Sequence, residues 1–278
     1  MARCEVCFRH CELSEGQKGF CGARVCSGGS VIPANYGRIT SAALDPIEKK
    51  PLARFRPGSM ILSVGSYGCN LRCPFCQNHD ISWSERAFAY EREAHSFTPE
   101  ELVNAALHSV NEGNIGIAFT YNEPLVGYEF VRDTAELVHE AGMVNVLVTN
   151  GTAELGVLEE LLPHIDAMNI DLKGFSDSYY RKLLGGDRGQ VMNFISRAVQ
   201  TCHVELTTLI VPGENDSEEE MRGQCRWIAS LSPDIPLHIS RFFPRFRMTD
   251  RNATDVSAVY ALADTAREYL NYVYTGNC

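Results

Sequence analysis

From Ser59 onward the chain alternates short apolar runs with longer segments of helical periodicity, and few folds accommodate that pattern. The runs suited to buried strands are 60–64, 115–120, 144–149, 167–171, 204–211 and 237–239. Continuous apolar runs of this length suit strands covered on both faces. The clearest helical segment opens with Thr98-Pro99-Glu100-Glu101, a capping box with proline at the first helical position. It then places Leu102, Val103, Ala106, Leu107 and Val110 at helical spacing. Further helices are expected near 126–141, 153–162, 176–184, 190–201, 217–230 and 255–270. Strands that alternate with helices predict a parallel sheet with right-handed crossovers. A complete eight-stranded barrel takes about 250 residues, and only 220 remain over 59–278. The expected α/β fold is therefore a partial, open (β/α)6 TIM-like barrel over 57–278, with the chemistry at the strand C-termini.

Residues 1–56 read differently, being rich in Cys, Gly and Arg with little helical periodicity. Pro51 and then Pro57-Gly58 punctuate the way out. They are expected to form a small cysteine-rich N-terminal module with a connecting arm. No internal repeat or low-complexity segment is evident.

Charge narrows the function. With 25 basic and 35 acidic residues the net charge is −10, which argues against a general nucleic-acid binder. No apolar run approaches the roughly 18 residues of a membrane span. No apolar stretch follows Met1-Ala2-Arg3-Cys4 as in a secretory signal. A cytoplasmic protein with reduced thiols is expected, without membrane or nucleic-acid partners.

That compartment matters because there are eleven cysteines, eight of them clustered at 4, 7, 11, 21 and 26 and at 69, 73 and 76. Close spacings of reduced cysteines read as metal ligands rather than disulfides. Cys202 and Cys225 read as buried thiols. Cys69, Cys73 and Cys76 follow the first strand directly with C-x3-C-x2-C spacing. A [4Fe–4S] cluster has four irons, normally all held by thiolates. Three close cysteines without an obvious fourth leave one iron open to the amino and carboxylate groups of S-adenosylmethionine. Electron transfer into the sulfonium then yields a radical that side chains alone cannot supply. The competing reading is a zinc knuckle with a remote fourth ligand, but zinc sites usually pair two knuckles. Cys4, Cys7, Cys11 and Cys21 supply four further thiolates, with Cys26 spare and Gly16, Gly19 and Gly22 allowing tight turns. They suit a second metal, either zinc, slightly preferred, or a second iron–sulfur cluster.

The triplet, with aromatic Phe75 before its last cysteine, resembles the signature of the radical S-adenosylmethionine superfamily. The resemblance implies that Cys69, Cys73 and Cys76 bind a [4Fe–4S] cluster and that Phe75 packs near the adenine of S-adenosylmethionine. At the second strand end, Thr120-Tyr121-Asn122-Glu123-Pro124 stands where relatives hold Gly-Gly-Glu. That implies Glu123 as acceptor for the cofactor ammonium, with Tyr121 and Asn122 beside it. A helix N-terminal carboxylate is the alternative for Glu123. Val148-Thr149-Asn150-Gly151 and Asn169-Ile170-Asp171-Leu172-Lys173-Gly174 resemble segments of pyruvate formate-lyase activating enzyme. There the polar residues contact the cofactor ribose and carboxylate, implying Thr149, Asn150, Asp171 and Lys173. Asp171 and Thr149 match a monovalent-cation site, whereas Val148 replaces a carboxylate. Val211, within the Val-Pro segment after the fifth strand, is implied beside the adenine.

Asp171 and Lys173, two apart at a strand end, point to one side. Inside a barrel mouth such a pair needs a ligand to offset its desolvation; an exposed ion pair is the other reading. Asn215-Asp216-Ser217 reads as turn and N-cap chemistry. His238 and Arg241, flanking the sixth strand end, are candidates to face substrate, although a lone His is more often packed.

The cysteine-rich start, the segment Leu44-Asp45-Pro46-Ile47-Glu48-Lys49-Lys50-Pro51-Leu52 and the late His238-Ile239-Ser240-Arg241-Phe242-Phe243-Pro244 resemble the AmmeMemoRadiSam radical enzymes. Lys49 and Lys50 read as solvated surface. The expected function is a radical enzyme that reductively cleaves S-adenosylmethionine to a 5′-deoxyadenosyl radical, which abstracts hydrogen from an unknown substrate, a small molecule or a partner-system product. The alternatives are a glycyl-radical-enzyme activating enzyme acting on a partner protein, or a non-catalytic metal-binding interaction protein. The resemblance also implies an electron donor such as ferredoxin or flavodoxin.

Overall fold

The computed structural model describes residues 1–278, the side chains of residues 91 and 92 excepted. Its main sheet has eight strands: β1 (Ser41–Pro46), β2 (Met60–Gly65), β3 (Asn114–Phe119), β4 (Val144–Thr149), β5 (Ala167–Asp171), β6 (His203–Ile210), β7 (Leu237–Arg241) and β8 (Val273–Gly276). They neighbour one another in sequence order. β1 runs antiparallel to β2, and every other pairing is parallel. Strands β2 to β7 are the six expected from sequence, and β4 and β5 have the expected bounds. This is the partial barrel.

The two further strands, β1 and β8, are sheet edges. Their residues are only partly covered, so neither forms a continuous apolar run. β1 precedes the domain boundary expected at 56/57, yet it pairs with β2 from Ser41↔Gly65 to Pro46↔Met60. Two-residue and four-residue strands at Ala2–Arg3, Glu12–Leu13, Arg24–Ser27 and Ser30–Pro33 make the cysteine-rich start.

Helices α1 (His79–Ser82) and α2 (Glu85–Glu93) follow the cysteine triplet and were not expected. The crossovers are α3 (Pro99–His108), α4 (Tyr128–Glu140), α5 (Leu155–Leu161), α6 (Arg188–Ala198), α7 (Glu218–Leu231) and α8 (Val256–Arg267). α3 carries the expected capping box: the Thr98 hydroxyl accepts the Glu101 N–H at 3.2 Å, and the Glu101 carboxylate accepts the Thr98 N–H at 2.8 Å. The helix expected at 176–184 is instead a π-helical turn, Tyr179–Leu184. It lets the Tyr180 hydroxyl accept the Lys173 N–H at 2.9 Å. Among the described residues no helix is long and apolar enough to cross a membrane.

Inside the sheet Ile61, Ala118, Val146 and Ala167 form a fully buried cluster with Ile47 and Leu52 of the connecting arm. The arm thus seals the barrel below its strand C-termini. Polar bonds hold it there: the Asn169 amide donates to Pro51 O at 2.8 Å, and the N–H groups of Ala53 and Arg54 reach the Glu205 carboxylate at 2.9 and 2.8 Å. The inward turn corrects the reading of Lys50 as surface. Lys50 is only 2% exposed. Its ammonium meets Asp45 at 2.9 Å and lies 4.9 Å from the Tyr121 ring centre. Lys49, pointing the opposite way, stays exposed while reaching Asp45 at 3.0 Å.

Candidate active site

A cavity of about 430 Å³ opens at the C-terminal ends of the strands, where an α/β barrel carries its chemistry. The loop after β2 brings Cys69, Cys73 and Cys76 to its wall. Asn122 shapes that loop, its amide oxygen accepting the Ser66 N–H at 2.9 Å and its amide nitrogen donating to Gly68 O at 3.1 Å. Gly68 has φ +98°, and a Cβ there would stand 2.6 Å from that of Ala23, so only glycine fits. Asn122 is therefore a buried positioning residue as well as a wall residue.

The Cys69 sulfur accepts the Leu71 N–H at 3.4 Å and the Asn150 amide at 3.8 Å. Burial pushes the Cys73 thiol up to about 12 and raises Cys69 and Cys76 as well. Buried free thiols therefore stay protonated, whereas N–H groups aimed at sulfur favour thiolate. A metal resolves that mismatch, since coordination deprotonates the thiol outright. Three soft donors on one cavity wall, none of them in a disulfide, fit an iron–sulfur cluster. Among the described residues no group of three or more His, Cys, Asp or Glu side chains is pre-arranged around a single ion, and this holds for both cysteine sets.

Glu123 is 3% exposed and faces the same cavity. Its carboxylate accepts the Thr149 hydroxyl at 2.6 Å, the Asn150 N–H at 2.8 Å and the Leu125 N–H at 3.1 Å. Burial lifts its pKa to about 7 against the pull of these donors. A cation arriving in the cavity favours the ionised form. By accepting the Leu125 N–H, the Glu123 carboxylate also caps the short Pro124–Gly127 turn, so the helix-terminal reading describes it as well.

Asp171 and Lys173 both line the cavity, 2.7 Å apart. Burial lowers the Lys173 pKa, but Asp171 and Cys73 more than offset this and hold it well above its ordinary value. Lys173 therefore stays charged beside the thiols. Phe75, 7% exposed, lines the cavity and meets Phe242 edge-on at 6.2 Å. Tyr121 lines it with a left-handed backbone, φ 72°, and its ring fills the space that a Cβ on Gly65 would take. Its hydroxyl donates to Asp45 at 2.9 Å, toward the connecting arm.

One implied residue departs from expectation. Val211 is wholly buried and off the cavity wall, where Thr207 and Leu209 stand instead. The chain turns there, the Val211 N–H donating to Asn215 at 2.7 Å, so the inward alternation of β6 stops at Leu209. His238 is packed, as a lone His more often is: it is off the wall, with its Nε2 2.6 Å from Glu205. Arg241 is on the wall, together with Ser240, Arg245 and Asn277. The last two come from an irregular loop and from the residue after β8, so no periodicity points to them.

A family model described as "Radical SAM superfamily" matches residues 63–224. An uncharacterized protein of Methanocaldococcus jannaschii is 40% identical over 278 residues, covering 99% of this chain and 81% of that protein. The pyruvate formate-lyase-activating enzyme of Clostridium pasteurianum is 31% identical over 160 residues, which span 56% of this chain and 63% of the enzyme. A radical SAM methyltransferase from Sphaerobacter thermophilus shares the fold, with TM-score 0.59 at 17% identity, over 80% of this chain and 67% of that one.

Proposed function

Because the chain belongs to the radical S-adenosylmethionine superfamily, we propose that Cys69, Cys73 and Cys76 hold its [4Fe–4S] cluster and that the adjoining cavity seats S-adenosylmethionine and a hydrogen-donating substrate. The chain is a radical S-adenosylmethionine enzyme, which excludes the non-catalytic reading. One observation carries the assignment of residues: three thiols, the Glu123 carboxylate and the Asp171–Lys173 pair converge on one cavity. When bound, the cluster supplies an electron to the sulfonium, releasing methionine and a 5′-deoxyadenosyl radical that takes hydrogen from substrate.

The protein's own groups bind and orient. Glu123 accepts the cofactor ammonium, a charge-assisted bond strengthened by burial. Thr149 and the Asn150 N–H hold that carboxylate in place. Asn150 also links Glu123 to Cys69, because its amide donates to the Cys69 sulfur. Lys173 takes the cofactor carboxylate or ribose, with Asp171 fixing its ammonium. Phe75 packs by the adenine, and Tyr121 and Asn122 keep the loop in register.

The likeness to a pyruvate formate-lyase-activating enzyme favours a second reading, in which the hydrogen donor lies on a partner protein and a ferredoxin or flavodoxin supplies the electron. The finer likeness to AmmeMemoRadiSam enzymes belongs to the same proposal. Anaerobically reconstituted protein with a strong reductant and S-adenosylmethionine should form 5′-deoxyadenosine and methionine. Cys69→Ala, Cys73→Ala and Cys76→Ala should each abolish both products and the cluster absorbance. Product formation surviving in these variants would refute the assignment.

A further inference from the structure

Behind the loop that carries Cys69 lies a second, much smaller cavity of about 10 Å³, lined by Cys4, Cys7, Cys11 and Cys21 together with Arg9 and Arg24. Cys26 is not on its wall, being placed on the Arg24–Ser27 hairpin strand with its sulfur 3.9 Å from Glu15. We propose that Cys4, Cys7, Cys11 and Cys21 form a closed four-thiolate site for one zinc ion, packed directly against the loop of the radical cluster.

Three independent observations carry this. The first is an orphaned donor. Arg24 is 5% exposed and spends its other nitrogens on Glu129, at 2.7 Å, and on Val31 O, at 3.2 Å. Its buried Nε has no hydrogen-bond partner, although a buried polar group without one is costly. The side chain lines the cavity of the four thiols. A metal-bound thiolate there supplies an acceptor for which a neutral thiol is a poor substitute.

The second is the setting of the sulfurs. Cys7 accepts the N–H of Arg9, and Cys21 accepts the N–H groups of Ala23 and Arg24. Cys69 accepts Leu71 N–H in the same two-residue step. The N-terminal cysteines are thus built as the radical-cluster cysteine is, with backbone donors turned onto sulfur. Burial still holds both thiols up, Cys21 to about 11, so the donors by themselves do not ionise them and a metal is needed to do so.

The third is charge. Arg9 donates only to carbonyls, Asn70 O at 2.8 Å and Gly185 O, and Arg72 likewise to Cys69 O, Leu71 O and Phe20 O. Both guanidinium groups stack on the Phe20 ring, at 3.4 and 3.7 Å from its centre. Among the described residues neither meets a carboxylate; Arg9 faces Cys7, Cys11, Cys69 and Cys21, whereas Arg72 faces Cys69, the like charge of Arg9, Cys21 and Cys73. Two half-buried cations need anions nearby. Four thiolates on one divalent ion leave two negative charges, toward which Arg9 is turned, while Arg72 is shared with the radical-cluster cysteines.

Four thiolates close a tetrahedral site for a single zinc ion, and the cavity they line, about 10 Å³, is far smaller than the roughly 430 Å³ at the radical site. The thiols are not pre-arranged around an ion, so they move to close on it. The bound ion also backs the radical loop, because Cys21 O receives the Cys69 N–H at 3.3 Å.

The test uses the full chain with Cys69, Cys73 and Cys76 all replaced by Ala, so its outcome does not depend on the radical cluster. Isolated without added metal, this variant should hold about one zinc per chain, and X-ray absorption should show a sulfur-only shell at about 2.3 Å. Zinc content of the unmodified chain serves as the same measurement in a protein that carries no substitution. Adding Cys11→Ser should remove the zinc, and adding Cys26→Ser should leave it. An iron–sulfur spectrum in the triple variant, absence of zinc from both proteins, or zinc retained in Cys4→Ser and Cys11→Ser alike would each overturn the proposal.

Discussion

Glu123 shows how far a single residue's chemistry depends on its surroundings. Its place where relatives hold Gly-Gly-Glu implied ammonium binding, but its pKa of about 7 comes from burial, partly offset by Thr149, Asn150 and Leu125. Glu123→Gln keeps the shape and removes the charge. It should weaken S-adenosylmethionine binding tenfold or more, about 1.5–3 kcal/mol for a bond to a charged group, while cluster iron stays unchanged. Equilibrium binding of the cofactor checks this, and wild-type affinity in the variant would count against the role. Lys49 and Lys50 make a second residue-scale contrast, adjacent in the chain and opposite in environment. Burial raises the Asp45 pKa, but Lys50, Lys49 and Tyr121 outweigh it and bring it down to about 2. Lys50→Ala removes the buried partner and should cost about 3 kcal/mol; Lys49→Ala, at an exposed pair, should cost less than about 1 kcal/mol. Urea unfolding of the two variants measures the difference, and equal costs would contradict the burial of Lys50.

The arm between β1 and β2 is the element whose role was hardest to read. Its Ile47 and Leu52 sit at no recognisable period, yet they fill the barrel interior. Glu205 ties it down from β6. Burial pushes Glu205 up, but His203, His238 and the N–H groups of Ala53 and Arg54 hold it down to about 2. A depressed carboxylate contributes stability above its ordinary pKa of about 4.3 and loses it as pH falls toward the folded value. The stability gap between wild type and Glu205→Gln should therefore be widest at neutral pH and close between about pH 4.5 and 2. Denaturant unfolding across that range tests it; a gap independent of pH would mean that Glu205 is not ionised in the folded chain. By contrast α3 was legible in detail, because a capping box is a contact between residues three apart.

At the scale of the whole molecule, the open barrel depends on its edges. β8 pairs with β7 from Leu237↔Val273 to Ser240↔Gly276, and Asn277 just beyond it joins the cavity wall. Ending the chain at Tyr272 would leave β7 as a bare edge, open to pairing with other chains. Such a truncation should aggregate, visible as increased light scattering, and should bind S-adenosylmethionine more weakly. A monodisperse truncation with unchanged thermal midpoint would show that β8 is dispensable to the sheet.

What the sequence by itself determined is what local spacing encodes. Strands β2 to β7, most of the crossover helices and the cysteine triplet of one loop each reveal themselves within a few residues. The edge strands escaped because half-covered strands need no apolar run, and the π-turn because its buried Tyr179, Tyr180 and Leu184 are spaced as in an ordinary helix. Only the tertiary structure decided that Lys50 is buried, that His238 packs on Glu205 and that Cys21 lies against Cys69. The first rests on desolvation and the other two on contacts between residues tens of positions apart, and neither quantity is written in the spacing of one segment.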